Sequence, residues 1–294
     1  RGGAAGRQPA GRAGGERDLG AEAVRSGAGR VWLRHEWSLT FTLLGPGTST
    51  GVPVIGCRCA ICTSTNPRNK RLRQSVKIES NGKFGLIDTT PDLRAQLLRE
   101  PIPRLDFVLF THSHSDHLMG LDDIRPFNFR QREAIHAYAN PMTAKAIRRA
   151  FSYIWNDSQI GGGKPQLDLR EVEGAFDHDG VHIIPIPVSH GEWTILGFRI
   201  GDFAYITDTN GVPDSSMRLL EGVRVLALDG LRPSPPHPTH FTIDEAIACS
   251  RKIGAAETWL IHLTHDIDHD SFDGTLPVGV RLAYDGLRTS QPRI

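Results

Sequence analysis

The pattern of apolar positions divides the chain into two parts near residue 38. The first 38 residues are rich in glycine, alanine and arginine and have no apolar periodicity. Such a segment cannot bury enough apolar surface to offset the entropy of ordering it, so we predict that residues 1–38 form a disordered N-terminal extension. From Leu39 onward, apolar residues recur at strand and helix spacing. This change predicts one folded domain over residues 39–294.

Short apolar or alternating segments predict the strands, and longer amphipathic segments predict the helices. The predicted helices are residues 91–100, 141–155 and 242–254. The predicted strands are residues 39–44, 76–80, 84–90, 105–112, 181–190, 194–200, 202–209, 223–230 and 257–265. Hairpins together with β-α-β units are typical of a mixed-sheet α/β sandwich, which is the fold class we predict.

Polar residues with metal-binding side chains follow several of these strands. They are Asp88, the run His112-Ser113-His114-Ser115-Asp116-His117, His190, Asp208 and His262. Ligands in α/β sheets gather at the carboxyl ends of strands, so we expect these side chains to converge on one edge. Imidazole and carboxylate ligands together suit Zn, Fe or Mn better than Ca or Mg.

The spacing within the histidine run predicts two metal positions. His112 and His114 are alternate residues and share a face in extended backbone, whereas Asp116 and His117 are adjacent and do not. One metal would then take the first pair and a second metal the other. His190 and His262 would complete the two sets, with Asp208 bridging them. Two metals about 3.5–4 Å apart that share a carboxylate and a water form a hydrolytic site.

The THSHSDH run, with the later ligands in this order, resembles the signature of the metallo-β-lactamase superfamily. The resemblance implies an αβ/βα sandwich, with two mixed β-sheets flanked by helices and a dinuclear site at one edge. It also implies a ligand assignment. One metal would be bound by His112, His114 and His190, and the other by Asp116, His117 and His262. Asp208 would bridge the two metals. Asp88 would support the site without binding directly.

Two further features bear on the substrate. The segment PRNKRLR holds four cations, and Arg71 and Arg73 are candidates for a substrate phosphate, with a solvated basic turn as the alternative. The loop PPHPTH carries His237 and His240 just before the predicted helix at Thr242. A loop histidine near a dinuclear site can protonate a leaving alkoxide. We favour His240 because it lies closer to the helix start.

These segments together resemble one branch of the superfamily, the phosphoribosyl 1,2-cyclic phosphate phosphodiesterases that accompany carbon–phosphorus lyase. That resemblance implies two divalent ions, Zn or Mn, and a separate structural zinc. It implies that a small cyclic phosphodiester is hydrolysed by a metal-bridged hydroxide. Asp116 and Asp208 would hold the metals and His240 would act as general acid. Members of this branch are cytoplasmic and usually dimeric, so we expect a cytoplasmic location and a possible homodimer.

The segment GCRCAIC places three of the four cysteines of the chain within seven residues. A disulfide would leave one thiol over, and Cys249 lies at a helical core position. In the family resembled, a histidine after the last catalytic ligand completes this set. Cys57, Cys59, Cys62 and His265 would then form a closed structural zinc site. The alternative for His265 is a solvated loop histidine.

Composition and charge narrow the remaining alternatives. The 294 residues carry a net charge of +1 at pH 7, whereas nucleic-acid binders usually have a strong basic excess. A tRNA 3′-processing-like endonuclease is therefore the rival enzyme rather than the first choice. A non-catalytic accessory protein, as in pyrroloquinoline quinone biosynthesis, is the rival outside enzymes. No continuous run of about 18 apolar residues is present, so we predict no membrane-spanning helix.

Overall fold

The structure of the protein, a computed structural model, describes residues 38–156 and 163–292. The prediction of a disordered extension concerns residues 1–38, and all of these except Ser38 lie outside the described residues. Ser38 itself begins the first strand, one residue before the predicted start of the domain. Among the described residues, no helix combines the length and the apolar character needed to cross a bilayer.

The first sheet has seven strands within the described residues, in the order β14-β1-β2-β3-β4-β5-β6. Strands β14, β1, β2 and β3 pair antiparallel, and β3 to β6 pair parallel. The bounds are β1 Ser38–Gly45, β2 Ser75–Ser80, β3 Lys83–Ile87, β4 Phe107–Leu109, β5 Ile135–Ala139, β6 Leu167–Glu171 and β14 Arg288–Pro292.

The second sheet also has seven strands in this part of the chain, in the order β13-β12-β11-β10-β9-β8-β7. Strands β7 to β10 pair antiparallel, and β10 to β13 pair parallel. The bounds are β7 Phe176–His178, β8 Val181–His190, β9 Trp193–Ile200, β10 Phe203–Ile206, β11 Val225–Asp229, β12 Glu257–Ile261 and β13 Val280–Leu282. Both sheets are mixed, as predicted.

Eight α-helices occur in the described residues. They are α1 Ala60–Thr63, α2 Leu93–Arg99, α3 Ser115–Leu118, α4 Arg125–Gln131, α5 Pro141–Ala150, α6 Asp214–Leu219, α7 Ile243–Ile253 and α8 His269–Asp273. The predicted helix at Thr242 is present as α7 and begins with a capping box, since the Thr242 and Glu245 side chains each accept from the other's backbone N–H. The predicted helix 141–155 ends as an α-helix at Ala150 and continues as a short 3₁₀ segment, Ser152–Ile154.

The buried apolar side chains form three clusters that explain the layering. The central cluster draws from both sheets, and it includes Phe41 stacked on Phe203 with ring centroids 4.1 Å apart. A second cluster combines the first sheet with residues of α2, α4 and α5, and a third combines the second sheet with residues of α7. Each sheet is therefore covered by helices on one face and by the other sheet on the opposite face. The prediction of an αβ/βα sandwich is confirmed.

Candidate metal centre

Three predicted residues of the site, which follow β3, β10 and β12, occupy unusual backbone conformations. Asp88, Asp208 and His262 follow these strands and have positive φ values of 62°, 54° and 62°. Non-glycine residues rarely adopt this region, and such conformations are common at functional sites. At each position the chain turns out of the strand direction immediately after the last paired residue. The turn directs the side chain toward its neighbours at the sheet edge.

The structure brings all the predicted metal ligands together in two overlapping groups. The potential ligand atoms within each group lie within 4.8 Å of one another; one group is His112, His114, His190 and Asp208, and the other is Asp116, His117, Asp208 and His262. Asp208 belongs to both groups. Its carboxylate oxygens lie 3.3 Å from Nε2 of His117 and 3.3 Å from Nε2 of His262. This geometry matches the predicted bridging position, and metal binding itself stays a prediction.

The chemistry of the donor set fits divalent cations. Nε2 of His112, His117 and His262 is buried, and none of these three atoms has a hydrogen-bond partner among the described residues. Burying an imidazole nitrogen without a partner is unfavourable, and a shared cation would remove that cost. Burial lowers the pKa of His112 and His262. Both rings are therefore neutral near pH 7, which is the form that binds metals.

His117 is surrounded by negative charge. Burial opposes its protonation, but the carboxylates of Asp208, Asp88 and Asp116 outweigh burial and raise the pKa of His117 well above its usual range. The excess of carboxylate over other charge at this point is what a divalent cation would neutralise. Both the negative charge of the carboxylates and the short distances between the donor atoms therefore favour the binding of divalent cations.

Asp88 holds His117 in place from behind. Its side chain is fully buried, and its Oδ2 lies 2.7 Å from Nδ1 of His117. The same carboxylate accepts hydrogen bonds from the backbone N–H and the hydroxyl of Thr111, both at 2.8 Å. Such a bond fixes the ring orientation and leaves Nε2 to face the metal position. The structure therefore places Asp88 where the resemblance implies a supporting residue.

His240 lies beside this cluster and is held by a residue that the sequence analysis missed. Its Nδ1 is 2.8 Å from Oδ2 of Asp229, and its ring stacks on His262 with centroids 4.6 Å apart. Asp229 is fully buried at the end of β11. It stands at a strand end like the predicted ligands, so the same rule applied to VRVLALDG would have identified it. His237 lies farther out, 4.9 Å from the His240 ring.

The structure gives the two predicted phosphate-binding arginines other partners. Arg71 is 1% exposed, and its guanidinium donates to the backbone carbonyls of Thr264 and Ile267 at 2.9 and 2.8 Å. Burial lowers the pKa of Arg71 to about 10. Arg73 donates to both carboxylate oxygens of Asp92, at 3.0 and 3.1 Å. Because both cations are committed to partners of the fold, we correct the expectation that they contact a substrate phosphate.

The cysteine loop and His265 form a second, separate cluster. Nδ1 of His265 lies 3.4, 3.5 and 3.4 Å from the sulfur atoms of Cys57, Cys59 and Cys62. A tetrahedral zinc, with bonds of about 2.3 Å to sulfur and 2.0–2.1 Å to nitrogen, separates such ligands by about 3.5 Å. A hydrogen bond from the Cys62 backbone N–H is the main cause that lowers the pKa of Cys59 to about 6. The thiolate that zinc requires is therefore favoured at Cys59, whereas burial raises the pKa of Cys62.

Comparison with known proteins assigns the class of this fold. The model of the beta-lactamase superfamily domain matches residues 85–263. The chain belongs to this family, and the resemblance drawn from the THSHSDH run is confirmed. The match spans all the candidate ligands, from His112 to His262, and the supporting residue Asp88. The chain is thus a metallo-β-lactamase-fold protein of the hydrolase type.

The chain is similar to several individual proteins, which differ in sequence identity and in the share of each chain that is covered. The crystal structure of a diphosphatase from the PhnP family is 43% identical, with a TM-score of 0.81 over 86% of this chain and 97% of that one. An octanoyltransferase of Porphyromonas gingivalis is 39% identical over 249 residues, which are 83% of this chain and 50% of that protein. The chain thus spans about half the length of this curated relative. A coenzyme PQQ synthesis protein B of Methylobacterium nodulans is 26% identical over 219 residues, 64% of this chain and 71% of that protein.

Proposed function

We propose that this protein is a metal-dependent phosphodiesterase that hydrolyses a small phosphodiester, with a cyclic ribose phosphate of the phosphoribosyl 1,2-cyclic phosphate type as the preferred substrate. The observation that carries the proposal is the hydrogen-bonded pair His240–Asp229 beside the two ligand groups. A cluster of divalent ions would supply the nucleophile that attacks phosphorus. Hydrolysis of an unactivated diester also needs a proton donor for the leaving alkoxide. His240 is placed to be that donor.

The ligand groups would hold two divalent cations, Zn or Mn. Bound there, these ions would polarise the phosphoryl oxygen and make water a stronger nucleophile near neutral pH. Asp208 would hold both ions at once, because its carboxylate oxygens face both ligand groups. Asp88 would keep the His117 ring oriented through the bond at 2.7 Å.

His240 would supply the proton. With Nδ1 committed to Asp229, Nε2 is the atom through which His240 exchanges a proton with substrate. Burial lowers the pKa of His240, while the carboxylates of Asp208 and Asp116 act in the opposite direction. An anionic phosphoryl group at the cluster adds to the effect of these carboxylates. Two bound cations would oppose protonation of His240, and the substrate phosphoryl group would make that protonation more favourable than it is with the cations alone.

Hydrolysis of a diphosphate is the second candidate. It is favoured by the 43% identity to the diphosphatase from the PhnP family. In both reactions water would attack phosphorus, and the two reactions differ in the leaving group. A leaving phosphate is a weaker base than an alkoxide and needs less help from an acid. Dependence on His240 therefore separates the two candidates.

The test is a hydrolysis panel on the full chain with its metal content measured. The substrates are a ribose cyclic phosphate, a 2′,3′-cyclic nucleotide, an unactivated linear diester, a p-nitrophenyl diester, an organic diphosphate, a pre-tRNA and a glutathione thioester. We expect the cyclic diesters to be turned over best. His240→Ala should lower kcat on unactivated diesters by about 10²–10⁴-fold and on the p-nitrophenyl diester far less, with metal content unchanged.

The control variant is His182→Ala, because the His182 side chain is exposed and pairs with the exposed Asp177. A clear preference for the diphosphate, with little loss in His240→Ala, would establish the second candidate instead. Salt-sensitive cleavage of pre-tRNA would favour a nuclease. A single tightly held zinc with no turnover of any substrate would favour an accessory protein.

A further inference from the structure

An exposed indole stands beside the candidate metal centre and takes no part in the proposed chemistry. Trp193 lies at the start of β9, in the tight turn that follows the ligand His190. Its side chain is 44% exposed, and its ring centroid is 5.2 Å from that of His114. By contrast, Trp259 is 1% exposed in the central core. Tryptophan side chains with one part buried and one part in water are enriched where proteins bind partners.

Trp193 ends a continuous row of rings that passes through the site. The ring centroids of His114 and His190 are 5.0 Å apart, and those of His190 and His240 are 5.1 Å apart. His237 continues the row beyond His240. The indole is therefore the direct ring neighbour of His114, which is a predicted metal ligand. A group joined to the reacting phosphate through a single sugar would reach it.

The turn that carries Trp193 is anchored to the rest of the site. The backbone N–H of Gly191 donates to Oδ1 of Asn210 at 3.0 Å, and Nδ2 of Asn210 donates to the carbonyl of Pro238 at 2.7 Å. Farther along β9, the N–H of Leu196 donates to the carbonyl of Thr111 at 3.0 Å. These bonds tie the turn to the loop of His240 and to the strand end before His112. The indole is thus presented on a preorganised support, which limits the entropy lost when a ligand stacks on it.

We propose that Trp193 is a stacking platform for an aromatic heterocycle of the substrate, with a nucleobase as the matching group. The inference deepens the proposed function and rests on it for the identity of the reacting phosphate. Every nucleobase has a flat π-face, and stacking on an aromatic side chain tolerates any base. Phosphate esters that carry a nucleobase would then also be substrates, and contact with the indole would add to their affinity.

The experiment compares two substrates in three forms of the metal-loaded full chain. The substrates are adenosine 2′,3′-cyclic phosphate and a ribose cyclic phosphate without a base. The forms are the native chain, Trp193→Ala and Trp193→Phe. We expect Trp193→Ala to raise KM for the adenosine substrate about 5- to 100-fold, with kcat within about twofold and the base-free substrate unaffected. Trp193→Phe should restore most of the affinity, because it keeps an aromatic face.

A second readout does not depend on turnover. Adenosine monophosphate should quench part of the tryptophan fluorescence of the native chain, and that part should be absent in Trp193→Phe. The matched control is Trp155→Phe, because the Trp155 ring is 36% exposed but lies instead against the Arg148 guanidinium, 5.1 Å from its centroid. This control should keep the quenching.

The outcomes separate this inference from the proposed function. Saturable quenching that depends on Trp193, without hydrolysis of any phosphate ester, would sustain the base platform and reject the phosphodiesterase. Hydrolysis in which Trp193→Ala changes both substrates equally would reject the platform, because the indole would then only support His114. No change in KM for the adenosine substrate would also reject it.

Discussion

The two candidate metal sites of this protein differ in how the chain builds them. The active-site cluster takes its ligands from the ends of several strands in both sheets, and those ligands are mostly buried. The cysteine cluster takes three sulfur ligands from one short loop and a single imidazole from a distant one, and it is only partly buried. The active-site cluster therefore depends on the packing of the two sheets. The cysteine cluster lies mostly within one loop and takes one ligand, His265, from elsewhere in the chain.

The donor types explain why the two sites suit different tasks. Three thiolates and one imidazole complete a tetrahedron and leave no position for water or substrate. Catalytic metal sites typically have three protein ligands and keep one position for water or substrate. The cluster around Asp208 has the donor types of such a site, and three of its buried nitrogen atoms have no hydrogen-bond partner among the described residues. Arg71 connects the two regions, because it holds the carbonyls of Thr264 and Ile267 on either side of His265. Arg71 therefore holds the segment that follows His262 and carries His265.

The sharpest contrast should come from removing the shared carboxylate. Asp208→Ala should lower kcat/KM by about 10³-fold or more, because both proposed metals lose a ligand and the remaining histidines lose their counter-charge. Metal analysis should find the active-site ions depleted and the zinc of the cysteine site retained. Asp177→Asn, at an exposed position, is the control. Full metal content with native activity would show that Asp208 is not the bridge.

A smaller effect is expected from the carboxylate behind His117. Asp88→Asn keeps the shape of the side chain but removes its charge, so the His117 ring loses its charged acceptor. We expect active-site metal affinity or activity to fall about 10- to 100-fold, and excess metal to restore part of the activity. Titration with Zn or Mn while turnover is followed measures this, with exposed Asp123→Asn as control. Loss of activity that no metal concentration relieves would contradict a positioning role.

The smallest effect on hydrolysis should come from the cysteine site. Cys59→Ala should remove one zinc per chain and lower activity less than tenfold, because the cysteine cluster shares no residue with the two ligand groups around Asp208. Stability should fall by about 3 kcal/mol, which corresponds to a drop in Tm of roughly 6–12 °C for a chain of this size. Calorimetry and zinc analysis are the measurements. Cys249→Ala, in the buried face of α7, should keep the zinc. Native zinc content in Cys59→Ala would refute the assignment.

Most of the candidate centre follows from local sequence, because each ligand is attached to the end of a recognisable strand. Three features need only the strand prediction and the rule that strand ends meet: the histidine run after β4, His190 at the end of β8 and His262 after β12. The arginines do not follow from local sequence. Whether a cation in a basic segment faces solvent, a phosphate or a backbone carbonyl depends on what packs against it. In this fold, the loop after β12 packs against Arg71.

The sequence by itself determined the class of fold, the ligands of the predicted dinuclear site and, through the family it resembles, the members of the cysteine site. Strand periodicity and short motifs are encoded by neighbouring residues, so they can be recognised without knowing how the elements pack. Only the tertiary structure decided that Asp229 holds His240, that Arg71 supports the loop of His265, and that Trp193 stands beside His114. These contacts join side chains on different elements, and only the packing of the sandwich brings those elements within hydrogen-bond or ring-contact distance.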